Sequence, residues 1–138
     1  MQFPTLSSAA LLSLLSLASA EIYGLALPST ITQHDRFNVT LLTDIGSQPS
    51  LDKLVVLGVY PAPGLEGSLG NIIITSQVIG ALHSNINKPI VFGTSLPDNF
   101  PKTNGVYTIT GTVFTLLGSY NTPSLNTFTQ NITVTGWK

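Results

Sequence analysis

The stretch Tyr107-Thr108-Ile109-Thr110-Gly111-Thr112-Val113 decides the class of fold. Apolar or small residues at 107, 109, 111 and 113 alternate with threonine at 108, 110 and 112. That period is two rather than 3.6, so it describes a strand with one face toward a core and one toward water. The same reading holds on both sides of it. Phe37, Val39 and Leu41 alternate with Asn38, Thr40 and Leu42, while Phe128, Gln130, Ile132 and Val134 alternate with Thr129, Asn131, Thr133 and Thr135. Segments 22–27, 54–60, 71–79 and 90–93 are further strand candidates, rich in the Val, Ile and Thr that suit pleated surfaces.

Turn chemistry separates these runs. Segments 28–29, 44–50, 61–70, 82–87, 96–105 and 118–124 are mostly rich in Gly, Pro, Asn and Ser. About seven short strands with turn signals between them, and no amphipathic helix, predict an all-β, antiparallel, two-sheet sandwich of immunoglobulin-like outline. The expected core is Phe37, Val39, Leu41, Val55, Leu57, Ile73, Val91, Tyr107, Ile109, Val113, Phe128, Ile132 and Val134. Tyr107 lies two residues before Ile109 and just after a long loop. It is either the tyrosine corner of an immunoglobulin-like domain, with Ile109 where an antibody domain carries cysteine, or an ordinary strand aromatic.

The first twenty residues read differently. An apolar, serine-containing run from Leu6 to Leu17 carries no charged side chain and ends in Ala18-Ser19-Ala20. Small residues at the two positions a signal peptidase reads predict cleavage after Ala20. The run is too short for the roughly 20 apolar residues of a membrane span, and no later stretch is long enough. The expected layout is therefore a signal peptide over 1–20 and one domain over 21–138, secreted and not inserted in a membrane. That leaves 118 of 138 residues, enough for a single core.

Composition narrows the partners. Charged residues make up 8% of the chain and the net charge is −1. Arg36, Lys53, Lys88, Lys102 and Lys138 stand singly, so neither nucleic acid nor an anionic membrane surface is an expected partner. Cysteine is absent, which removes disulfides, thiolate zinc sites and cysteine nucleophiles.

Catalytic motifs are thin. The histidines are His34 and His83, and the carboxylates Asp35, Asp44, Asp52, Glu66 and Asp98 are dispersed. No Gly-x-Ser-x-Gly elbow is present, and Thr32-Gln33-His34-Asp35-Arg36 reads as a turn before a strand. No enzyme, no cofactor and no metal site is expected. Two sequons remain, Asn38-Val39-Thr40 and Asn131-Ile132-Thr133, each with its Asn on the polar phase of a strand, where a glycan could reach solvent. The most distinctive loop is Pro61-Ala62-Pro63-Gly64-Leu65-Glu66-Gly67-Ser68-Leu69-Gly70. Two prolines and three glycines make it a structured turn, readable as a simple crossover or as a presented contact surface.

Several pieces recur in a telling order. Glu21-Ile22-Tyr23-Gly24, Phe37-Asn38-Val39-Thr40-Leu41 and Pro63-Gly64-x-x-Gly67-Ser68-Leu69-Gly70 come first. Gly111-Thr112-Val113-Phe114-Thr115-Leu116-Leu117-Gly118 and Pro123-Ser124-Leu125-Asn126-x-Phe128 follow. Together they resemble the fungal necrosis-inducing secreted protein family, over nearly the whole of 21–138. The resemblance implies a secreted fungal effector that suppresses pattern-triggered immunity in plants and induces host cell death. It implies two partners, a plant immune co-receptor kinase and a receptor-like cytoplasmic kinase, which it would bind and inhibit. The extracellular space, and with it the host plant cell, would be its place of action. It carries no catalytic residue over.

On this reading the contact surface is expected on loop 61–70, through Pro61, Pro63, Gly64, Leu65, Glu66 and Ser68, and on loop 118–124, through Tyr120 and Pro123. A monomer is expected. The alternative is a cell-wall-associated carbohydrate-binding or adhesion module, suggested by the Thr-, Ser- and Asn-rich surface. An aromatic platform for sugar would require Tyr23, Tyr60, Tyr120 and Trp137 to cluster.

Overall fold

Strand pairing follows the alternation. The computed structural model describes residues 21–44, 50–79 and 88–138. They form β1 (Glu21–Ala26), β2 (Thr30–Thr32), β3 (Arg36–Asp44), β4 (Ser50–Pro61), β5 (Ile72–Val78), β6 (Ile90–Ser95), β7 (Gly105–Leu117) and β8 (Thr122–Thr135). The signal segment with its cleavage position after Ala20, His83 and segments 45–49 and 80–87 lie outside the described residues. One sheet has the order β1-β3-β6 and the other β2-β8-β7-β4-β5. The chain is an all-β sandwich. β7 lies between β4 and β8, as strand F lies between C and G in immunoglobulin-like domains.

The sheets meet through the apolar phases. Val39, Leu57, Ile109 and Val134 are fully buried, and Leu41, Val55, Val59, Val113 and Ile132 are nearly so. Each such side chain contributes on the order of 1.5–3 kcal/mol by leaving water. With no cysteine in the chain, this burial carries the stability that a disulfide carries in many small secreted domains. Tyr107 is a tyrosine corner. Its hydroxyl donates to the Thr103 carbonyl at 2.8 Å, its ring lies 4.8 Å from that of Phe100, and the side chain is buried beside Ile109.

Three expectations are corrected. Ile73 and Val91 are 51% and 56% exposed. Each sits inside an unbroken apolar run, Ile72-Ile73-Ile74 and Ile90-Val91-Phe92, in which period two has no polar residue to set its phase. Ile72 and Ile74 face the core instead, and Ile90 and Phe92 are half-buried. Phe128 is half-buried against the core. The segment boundaries also move. Pro61 closes β4, and Pro123 and Ser124 belong to β8, so the 118–124 loop contracts to a turn. The eighth strand, β2, pairs with β8 in parallel, whereas the other pairings are antiparallel.

One polar inward residue ties the sheets together. Gln130 donates from Nε2 to the Leu27 carbonyl and accepts from the Leu27 N–H, both at 2.9 Å. Its amide copies a backbone pair, which explains a glutamine on the apolar phase of β8.

Candidate functional site

Loop 61–70 does not simply turn the chain. It folds back over the outer face of the five-stranded sheet. Gly58, on the outer phase of β4, lets it approach: a Cβ there would overlap the Leu69 carbonyl oxygen, and one on Gly70 (φ +102°) would overlap the carbonyl of Val59. Turn bonds hold the loop in shape. Ala62 N–H donates to Val106 O at 3.1 Å, Gly64 N–H to Pro61 O at 2.9 Å and Ser68 N–H to Leu65 O at 3.1 Å. The Ser68 hydroxyl accepts from Gly70 N–H at 3.0 Å.

A cleft of about 580 Å³ separates loop and sheet. Its walls include Pro63, Leu65, Glu66 and Leu69, and its floor is threonine. Thr108, Thr110 and Thr112 of β7 lie beside Asn131, Thr129 and Thr127 of β8 in register. The Thr108 hydroxyl donates to Asn131 Oδ1 at 2.6 Å, and the hydroxyls of Thr112 and Thr127 share a bond of 3.0 Å. Alternation placed Thr108 and Thr110 in water. Both are buried, because the loop roofs a face that period two assigns to solvent.

Beyond the roof the outer face turns apolar. Val78, Leu54, Phe114 and Leu125 line up across β5, β4, β7 and β8. Leu125 is 68% exposed and Val78 is exposed still further. Sequence reasoning missed this row. The signal was present in Leu54 and Phe114, which stand on the outward phase of their own strands.

The expected site residues divide between two places. Pro63, Gly64, Leu65, Glu66 and Ser68 line the cleft, and Pro61 ends the strand leading into it. Tyr120, 92% exposed, stands at the tip of the β7–β8 turn, with exposed Pro123 at the start of β8. Thr112 and Gly118 are six residue steps, roughly 20 Å, apart, so the two loops do not form one binding loop. Asn38 is exposed on β3 and Asn131 on β8.

The remaining titratable and aromatic groups do not converge on the cleft. His34 occupies the turn before β3 at φ 64°, its ring 5.5 Å from Trp137. Asp52 is buried on β4 and accepts the Thr115 hydroxyl at 2.8 Å. Burial pushes its carboxyl above the usual value, the Thr115 bond opposes this, and the negative charge of Glu21 adds to the rise. Among the described residues no three His, Asp or Glu side chains gather as a metal site would require, and no helix is long and apolar enough to cross a membrane. Tyr23, Tyr60, Tyr120 and Trp137 sit on β1, on β4, in the β7–β8 turn and after β8, rather than as one platform.

The model of the Nis1 family matches residues 18–133. The chain belongs to the Nis1 family. Necrosis-inducing secreted protein 1 of Colletotrichum orbiculare is 34% identical over 134 residues, covering 97% of this chain and 80% of that one. The protein of the same name from Colletotrichum higginsianum is 30% identical over 135 residues, covering 97% and 91%. Membership in the Nis1 family makes the chain a secreted, extracellular effector, related to proteins named for inducing necrosis. Among solved structures, a CARDB domain from Pyrococcus furiosus superposes with a TM-score of 0.49 at 13% identity, over 85% of this chain and 86% of that one. A PKD domain of an M14-like peptidase from a Thermoplasmatales archaeon gives 0.43 at 10%, over 84% and 92%.

Proposed function

We propose that this Nis1-family protein is a binding effector that engages plant immune kinases, a membrane co-receptor kinase and a receptor-like cytoplasmic kinase, and thereby suppresses pattern-triggered immunity and promotes host cell death. It works by contact and not by chemistry. The observation that carries the reading is the rigid presentation of loop 61–70, pinned by three backbone bonds and the close approach at Gly58, with Leu65 and Glu66 exposed. A pre-ordered loop loses little entropy on binding, so its contacts contribute more fully to affinity. The uncharged apolar row from Val78 to Leu125 extends the same face, and such patches mark protein contacts.

The test is co-precipitation of the mature protein with the two kinase classes from plant extract, together with the elicitor-triggered oxidative burst. Wild type should bind and damp the burst. Leu65→Ala with Glu66→Ala should weaken binding about tenfold or more at unchanged melting temperature. Tyr120→Ala should alter it less. A wild-type protein that neither binds a kinase nor damps the burst would refute the effector mechanism, whereas intact binding by the double variant would move the contact off the loop.

We also assign N-glycans to Asn38 and Asn131, both exposed on outer strand faces. Glycosidase should lower the apparent mass of secreted protein, and Asn38→Gln with Asn131→Gln should abolish the shift. Unchanged mobility of the wild type would remove both assignments.

A further inference from the structure

The threonine-floored cleft has a chemistry of its own. β7 lies inside the sheet, with β4 on one side and β8 on the other, so its backbone N–H and C=O groups are engaged in the ladders. β8 is paired with β2 only from Thr133 to Thr135, so its edge beside Thr127 and Thr129 can take an added strand, and an extended peptide is the competing ligand in the test below. What the floor presents is side-chain hydroxyl, and each hydroxyl can donate and accept at once. Thr110 is 7% exposed, lines the cleft and makes no side-chain hydrogen bond among the described residues. Its hydroxyl is not shut off from solvent, so in the open cleft it bonds water until a ligand that offers hydroxyls of its own takes the water's place.

The rest of the lining restricts that partner. Among the described residues no cationic side chain lines the cleft and the one charged residue is the acid Glu66, so phosphates and carboxylates find no counter-charge there. Pro63, Leu65 and Leu69 offer aliphatic surface opposite the hydroxyls. The volume of about 580 Å³ falls within the roughly 300–1,000 Å³ of small-ligand sites. A ligand with many hydroxyls, aliphatic C–H faces and no charge satisfies all of these.

We infer that the cleft between loop 61–70 and the Thr108–Thr110–Thr112 floor is a binding site for a neutral oligosaccharide. This goes beyond kinase binding and does not depend on it. Two sources carry this chemistry. One is a free neutral glycan of a cell wall. The other is a glycan on Asn131, whose Oδ1 is held by Thr108, itself a cleft residue.

The experiment is titration calorimetry on the secreted protein, with and without enzymatic removal of N-glycans. The probes are laminarihexaose, chitohexaose and xylohexaose, with hexagalacturonate as the charged control and a Ser-Gly peptide as the peptide control. At least one neutral hexasaccharide should bind saturably, and Thr110→Val should weaken it about fivefold at unchanged melting temperature, the loss of one or two neutral hydrogen bonds. Thr129→Val, at an exposed floor position, is the second variant should Thr110→Val not fold, and should also weaken binding. Val91→Ala, at an exposed position of the other sheet, should not. Equal binding in both protein forms identifies a free glycan as the ligand, and binding only after glycan removal or in Asn131→Gln identifies the resident one. The inference is overturned if no neutral probe binds either form, if hexagalacturonate or the peptide binds as well, or if the threonine variants bind like wild type.

Discussion

Loop 61–70 and loop 118–124 looked alike as sequence, both short, both containing Gly and Pro, both flanked by apolar strands. Folded, they differ in kind. The β7–β8 turn does only what a hairpin needs: Asn121 N–H reaches Gly118 O at 3.3 Å, Gly118 and Asn121 take positive φ, and Tyr120 stands in water. Loop 61–70 lies against the sheet over residues from two strands and converts a solvent face into a cleft. Glycine serves each differently. In the turn it supplies a left-handed backbone, whereas at Gly58 it supplies missing volume beneath a neighbour's backbone. A loop with a roofing role can carry recognition of a kind that an isolated turn cannot.

The sharpest way to break this contrast is Gly58→Val. The added side chain would meet the Leu69 backbone, which cannot rotate away, so the loop must lift or the strand must shift, at a cost of about 3 kcal/mol. Urea melts should show that loss, and protease cleavage within 61–70 should accelerate. A stable Gly58→Val with a protected loop would mean that the loop does not rest on the sheet. Tyr107→Phe comes next. It removes the bond to the carbonyl of Thr103, an exposed residue, for about 1–1.5 kcal/mol in the same melts.

Gly118→Ala tests the other region. Forcing an alanine to φ near 69° costs about 1 kcal/mol, with no effect on proteolysis at 61–70. A change in that loop's protection would show that the two regions communicate along β7 and β8. The smallest effect belongs to the buried carboxyl under the turn's end of β7. The folded Asp52 binds its proton more tightly than the unfolded chain does, because its value is raised above 3.8. Its contribution to stability is therefore full below the unfolded value and is lost as pH rises through the folded one. Asp52→Asn should gain on wild type as melts are taken from about pH 4 toward neutrality. Parallel curves would refute the raised value.

The sequence alone determined the sandwich, because period two is a property of single strands and survives any arrangement of them. Ile109, Val39, Val134 and Ile132 could be placed in the core from their own neighbours, and the tyrosine corner was visible in Tyr107 and Ile109 as one of two readings. The family was legible in the order of short motifs. Phase failed where no polar residue interrupted the run, at Ile73 and Val91. Tertiary structure alone decided which solvent-phase residues stay in solvent. Alternation tells which side of its own strand Thr110 faces, but its cover comes from loop 61–70, and Gly58 admits that loop only because β4 lies next to β7. Likewise Leu54, Phe114 and Leu125 form a row only once register aligns three strands. Burial of an outward face is a contact between segments distant in the chain, and the pattern within any one segment does not contain it.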